Sequence, residues 1–405
     1  SLRGWYVRSE GHLRFAAQTK EGWVPAFPVL GNDAHCMNGF HTVSLFLDAW
    51  RKGIRGFDLA AAYAACAKTL REASYIPWKR CAKTELDRFL DEHGYFPALK
   101  EGEKDKVPEI VPWEKRQTVP VTLFHAYDSW CMAELAKELK RPAAEVAEWV
   151  RLAKNYRLLW KADTGFFHPK DAEGKWIEPF DYKFSGGAAA RAYYDENNGW
   201  IYNWDVLHDI PGLKGLFGGG KPFVAKLERL FNESLGADRP KFYAQLADST
   251  GMMGQFSMGN EPGFHIPYLF SYAGEPWKTQ KTIRKVLDAW FRNDLMGIPG
   301  DEDGGAMSSF AVLSMLGFFS VTPGLPEYAW GSPVFTRATI DLGNGKAFVL
   351  EAPGASRDAK YIQSVTIDGR PSDRAWLSHA DIVRGARVRV EMGNRPNKAW
   401  GASGK

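Results

Sequence analysis

No stretch of the 405-residue sequence approaches 18 consecutive apolar residues, so nothing in it reads as a membrane-spanning helix. No run of five or six basic residues occurs either, and a formal net charge of +4 is small for this length, which argues against a nucleic-acid partner. There are only four cysteines, Cys36, Cys66, Cys81 and Cys131, and none forms a CxxC pair, so a structural zinc site is not indicated. Spacing leaves them as two disulfides or four thiols. The nucleophile elbow GxSxG, the P-loop and HExxH are all missing, which removes the commonest serine-hydrolase, nucleotide and zinc-protease readings. The opening SLRGWYVRSE lacks the basic start and apolar run of a signal peptide.

Aromatics, by contrast, are abundant: 14% of the chain, with 16 Trp, 15 Tyr and 25 Phe. Either they fill a large core or some of them stack on flat sugar faces. From about 42 to 320 the apolar periodicity is helical, as in 57–73, where Asp58 stands at a helix start, and in 121–139 followed by 142–160, an expected antiparallel pair. Segments 221–231, 265–273, 278–291 and 306–319 continue the series, separated by long loops rich in Gly, Asp, Asn and Pro. Helix pairs with long loops predict a mainly α chain, an α/α toroid or barrel rather than a bundle. After about 330 the pattern alternates apolar and polar, as in FTRATIDL and ARVRVEMG, which predicts a small antiparallel β region. The expected division is therefore 1–330 helical and 331–405 β-rich.

Three stretches carry chemistry. In YYDENNGWIYNWDVLHDIPG (193–212), Glu196, Trp200, Trp204 and His208 recur every four residues and would share a helix face. A carboxyl group beside tryptophan is suited to a general acid of raised pKa, or else the tryptophans are core and Glu196 a helix-start acid. In GMMGQFSMGNEPGFHIPY (251–268), Asn260 and Glu261 sit in a Gly–Pro frame that either offers oxygens to a hard cation or caps a helix. In GIPGDEDGGAMSS (297–309), Asp301, Glu302 and Asp303 fail the EF-hand pattern, because Gly305 and Val312 stand where ligands are needed. That loop either holds a water between two aspartates or caps the helix starting near Ala306. His41 and His265 are open between ligand contact and core.

Together these stretches resemble the bacterial and fungal calcium-dependent α-mannosidases of glycoside hydrolase family 92. The resemblance runs from about Gly22 to Trp400. It is carried by KGIRGFD (52–58), AYDSWC (126–131), ENNGWIYNW (196–204), HDIPGL (208–213) and GNEPGFHIPYLFSYAGEPWKTQ (259–280), and continues in GDEDGGAMSSF (300–310), LGFFSVTPGLPEYAWGSPVF (316–335) and SHADIVRG (378–385). It implies an (α/α)6-type catalytic domain and an exo-acting, inverting α-mannosidase trimming N-glycan or mannan-type substrates, secreted or periplasmic. By position it implies Glu196 as general acid, Asp301 and Asp303 as the pair that activates water, and Gly259, Asn260 and Glu261 as the calcium segment. Glu302 between the aspartates is expected to point away and be replaceable. Trp200, His41, Gln255, His265 and Trp277 are implied as sugar contacts. Acid and base of an inverting enzyme stand roughly 6.5–9.5 Å apart.

The sequence departs from that pattern at Met258 and Phe264, where relatives carry His, at Phe40, where they carry Asp, and at Ser129, where Asp is common. These changes are expected to alter the sugar subsites. The family's N-terminal β-sandwich and a Trp-Asp motif are also missing, so the chain is expected to be a fragment whose cleft the β-sandwich completes. The alternatives are a glycan-binding pseudoenzyme and a toroid glycosidase of different sugar specificity.

Overall fold

A computed structural model describes residues 22–29, 32–33, 36–187 and 191–405; the opening segment 1–10 lies outside them. The helix Leu59–Glu72 begins where expected, because the Asp58 carboxylate accepts from the Ala60 and Ala61 amides at 2.8 and 3.0 Å. Glu85–His93 is set by a capping box between Thr84 and Asp87 and ends on the left-handed Gly94. The 21-residue helix Thr118–Glu138 is buried on nearly every side. Val119, Leu123 and Ala126 face one apolar core and Val121, Met132 and Leu135 face the other, so this helix joins the two. Truncating Leu123 to Ala would cost about 2–5 kcal/mol, since no solvent can fill the gap.

Its expected partner over 142–160 is shorter. The α-helix stops at Ala143–Leu152, a 3₁₀ turn follows over Asn155–Leu159, and Trp160–Lys161 pairs with Phe166–Phe167 as a small hairpin. The segment 265–273 is likewise a 3₁₀ run, Ile266–Ala273, in which Pro267 has no amide to donate. Helices Gly220–Leu230, Pro276–Trp290 and Ala306–Leu316 lie close to their expected positions.

The β region corrects the expectation in two ways. Its five-stranded sheet is mixed: Ala347–Glu351 and Arg387–Gly393 pair in parallel, with Val349 opposite Arg387, while the other pairs are antiparallel. The sheet also does not stand apart after residue 330. Phe318–Phe319 and Glu327–Trp330 form a second sheet with Trp376–Ser378, so the chain returns to pair with strands that precede the expected boundary. Arg284 of the last long helix but one donates to the carbonyls of Pro333 and Ser356, and the Gln280 side chain accepts from the Ile362 amide at 3.1 Å. Among the described residues no helix is long and apolar enough to cross a membrane, and all four cysteines are free thiols.

Candidate active site

The expected helix face through Glu196 does not form. The α-helix here is a single turn, Gly199–Tyr202, started by Asn198, whose side chain accepts from the Trp200 amide at 3.0 Å. Asp195 and Glu196 lie in the loop upstream, against which two glycines pack: the Gly187 amide donates to the Asp195 carbonyl at 2.7 Å, and a Cβ on Gly186 would lie 2.0 Å from the Asn197 carbonyl. Because the helix starts only at Asn198, Glu196 stands outside it and lines a cavity of about 290 Å³.

Two further loops close that cavity by approaches that only glycine permits. A Cβ on Gly259 would fall 1.8 Å from Thr250 Oγ1, and one on Gly300 would fall 2.2 Å from the Gly259 carbonyl oxygen. This contact brings Thr250, Asn260, Glu261, Asp301 and Asp303 to the same cavity as Glu196, together with Asp248 and Trp78. A fourth loop, 36–41, is fixed from behind by the buried Asp128, which accepts from the Phe40 amide at 2.8 Å and pairs with His41 Nδ1 at 2.9 Å. An adjoining cavity of about 180 Å³ contains His41, Asp195, Tyr202 and Asp205 and shares Asn260 and Glu261 with the first.

Charge decides what such a cavity can do. Burial raises the Glu196 pKa, the Asn260 hydrogen bond at 2.8 Å opposes the rise, and the charges of Asp248 and Asp303 add to it. Burial also lifts Glu261 to about 7, with the charge of Asp303 pushing the same way. Asp195 is driven well above the usual carboxylate range by burial and by the neighbouring Glu196 charge, although Arg191 Nη1 donates to it at 3.0 Å. Behind the cavity a buried polar network runs from Arg191 to Glu114, Gln117 and Asn38, and Asn38 returns to Asp195 at 3.4 Å. The cavity therefore sets buried carboxyls of raised pKa, Glu196 among them, against two exposed aspartates on a different loop.

Glu302 resolves the ambiguity of its loop. Its carboxylate accepts from the Gly305 and Ser308 amides, so it caps the helix Ala306–Leu316 and leaves Asp301 and Asp303 free to line the cavity. It points away as expected, but it is not replaceable without loss of the cap.

Calcium is the cation the sequence implies, and the oxygens present suit it. Among the described residues no three His, Cys, Asp or Glu side chains converge as a metal site. However, Glu261 Oε1 and Thr250 Oγ1 are buried without a hydrogen-bond partner beside Asn260. A hard cation takes mixed carboxylate, amide, carbonyl and water oxygens rather than a carboxylate cluster alone, and an unpartnered buried carboxylate oxygen is one such ligand.

Four expected sugar contacts lie elsewhere. Trp200 is buried, packed edge-on against Phe166 and covered by Lys226 and Arg229. Gln255 bridges Asn198 and the Ser234 carbonyl, and His265 Nε2 bonds the Trp204 carbonyl at 2.8 Å, so both are framework. Trp277 sits at the start of the helix Pro276–Trp290 beside Lys278 and Lys398. The departures also sit below the cavity rather than on it: Phe40, Met258 and Phe264 are 2%, 0% and 1% exposed, and Ser129 bonds the His125 carbonyl within its own helix. Phe40, Met258 and Phe264 belong to the apolar cores. Residues not anticipated are Asp195, Arg191, Asp248, Thr250 and Trp78; only Asp195 had a signal, as the neighbour of Glu196 in YYDENN.

Carboxyl groups on separate loops around one cavity are the kind of groups that glycosidic-bond hydrolysis employs. The model of the glycosyl hydrolase family 92 catalytic domain matches residues 10–394, and the chain belongs to that family. It is similar to a family 92 α-mannosidase of Bacteroides thetaiotaomicron solved in complex with mannoimidazole, at 28% identity and a TM-score of 0.81, over 95% of this chain and 47% of that one. It is similar also to a family 92 inverting mannosidase of Bacteroides thetaiotaomicron VPI-5482, at 32% identity and a TM-score of 0.78, over 94% and 49% of the two chains. A protein of Arthroderma benhamiae named an uncharacterized secreted glycosidase is 27% identical over 94% of this chain and 48% of its own length. The chain thus spans about half the length of these relatives.

Proposed function

We propose that this chain is the catalytic portion of a secreted, exo-acting, calcium-dependent, inverting α-mannosidase acting on N-glycan or mannan-type oligosaccharides. Its helices form part of an (α/α)6-type toroid, and the rest of the protein supplies an N-terminal β-sandwich that completes the cleft. The observation that carries this reading is the meeting of Glu196, Asp301 and Asp303 on one cavity, with burial raising the pKa of the first and the other two exposed on a separate, glycine-rich loop.

In the proposed reaction Glu196 gives its proton to the glycosidic oxygen as the bond from that oxygen to the anomeric carbon breaks. Asn260 holds the Glu196 carboxyl in one orientation through its amide. Asp301 and Asp303 position a water on the opposite face of the ring and take its proton as its oxygen bonds the anomeric carbon, so mannose leaves with inverted configuration. Glu261, Asn260 and the Gly259 carbonyl would hold calcium, which when bound supplies positive charge that grips sugar hydroxyls and favours ring distortion. Release of mannose from α1,2-, α1,3- and α1,6-linked mannobiosides by the full-length protein tests the reading. Glu196→Gln, Asp301→Asn and Asp303→Asn should each abolish release; retained release in any of them removes that residue from its role.

A further inference from the structure

We propose that Trp78 and Trp113 form an aromatic platform at the mouth of the acidic cavity, on which the sugar ring on the leaving-group side of the scissile bond stacks. This rests on the glycosidase reading above and deepens it by naming what the substrate offers beyond its terminal residue. Trp78 lines the same cavity as Glu196 and is 37% exposed, and Trp113 is 54% exposed, the two most open tryptophans among the described residues. Their ring centroids lie 5.5 Å apart at 55°, so they stand as one angled apolar surface. The Arg191 guanidinium lies 5.4 Å from the Trp113 ring and is itself held by Glu114 and Asp195, which ties the platform to the network behind Glu196.

The backbone is strained to hold this arrangement. Trp78 has φ +60, a left-handed conformation that a bulky side chain rarely adopts, and its amide donates at 3.3 Å to the carbonyl of Met37, itself at φ +69. Lys115 and Gln117, just after Trp113, are left-handed too, at φ +55 and +47. Of the seven left-handed non-glycine residues in the described chain, three, Met37, Trp78 and Asp303, line this cavity. Strain of this kind persists where the surrounding structure fixes it, and it gathers at ligand sites. Glu196 must face the glycosidic oxygen, so the departing sugar lies beyond it on the wall where Trp78 opens outwards. An indole face packs against the C–H face of a pyranose, which selects an oligosaccharide over a mannoside with a small leaving group, and does so with little regard to linkage.

The test compares kcat/KM of the full-length protein on α-mannobiose and on α-mannosyl fluoride, whose leaving group is a single atom. Trp113→Ala and Trp78→Gly are the variants, glycine being chosen because it adopts the left-handed backbone without strain. Each should lower the mannobiose-to-fluoride ratio about tenfold. In a Glu196→Gln background each should also weaken mannobiose binding about tenfold while leaving mannose binding less affected. An unchanged ratio overturns the platform, and so does an equal loss on both substrates accompanied by a lowered Tm, which would mark the pair as a contact with another part of the protein. A wild-type protein that turns over neither substrate overturns the glycosidase reading itself.

Discussion

Three consecutive carboxylates, Asp301, Glu302 and Asp303, are given opposite tasks by the fold, and substituting them one at a time separates those tasks. Glu302→Ala removes both acceptors that satisfy the Gly305 and Ser308 amides at the start of the helix Ala306–Leu316. Loss of a side-chain cap costs about 0.5–2 kcal/mol, and two bonds to a charged acceptor place this one near the upper end, about 2 kcal/mol. For a large domain that corresponds to a fall in Tm of roughly 4 °C. Asp303→Asn should do the reverse. Asparagine tolerates the left-handed φ of +49 at this position as well as aspartate does, and removing the charge relieves Glu261 of a neighbour that disfavours its ionisation. Its Tm should hold or rise while release of mannose falls by at least a hundredfold. Scanning fluorimetry and mannobiose turnover on the two full-length variants decide the matter. A Glu302→Ala protein of unchanged Tm with activity lost to the same extent as Asp303→Asn would refute the division of labour in this loop.

Further outcomes follow from the same geometry. Glu196→Gln should lose mannobiose turnover by a factor of about 10²–10⁴ yet retain much of its rate on α-mannosyl fluoride, whose departure needs no proton; equal loss on both would remove the general-acid role. Because Glu196 acts protonated and its pKa is raised by burial, kcat/KM should fall as pH rises through that raised value, and a profile flat to alkaline pH would contradict it. His125 is buried and its pKa is pushed down to about 4 by burial. Stability present above the unfolded value near 6.5 should be lost as pH falls from there to about 4, by about 3 kcal/mol, and His125→Leu should flatten that slope in urea midpoints taken across pH. Chelation of calcium should lower both activity and Tm, with recovery on adding calcium back, and activity that survives exhaustive chelation would remove the cation from the site.

How far the sequence could be read depended on whether the physics was local. Asp58 and the long apolar run of Thr118–Glu138 announce their helices because caps and periodicity act within a few residues. The four-residue recurrence of Glu196, Trp200, Trp204 and His208 misled because Asn198 starts the helix only after Glu196, and Gly186 and Gly187 pack this stretch against chain 10 to 60 residues away. The same kind of distant contact, Gly259 on Thr250 and Gly300 on Gly259, builds the cavity, and no spacing rule reveals it. Nor could the sequence tell that Phe40, Met258 and Phe264 point into the core, or that the parallel pairing of Ala347–Glu351 with Arg387–Gly393 mixes the sheet.

The central claim is that Glu196 and the Asp301–Asp303 pair attack one glycosidic bond from opposite faces. Proton NMR of the full-length protein acting on a defined α-mannobiose with calcium present tests it most directly, because the anomer formed first is read before it mutarotates. β-Mannose should be the initial product; α-mannose appearing first would contradict attack from opposite faces.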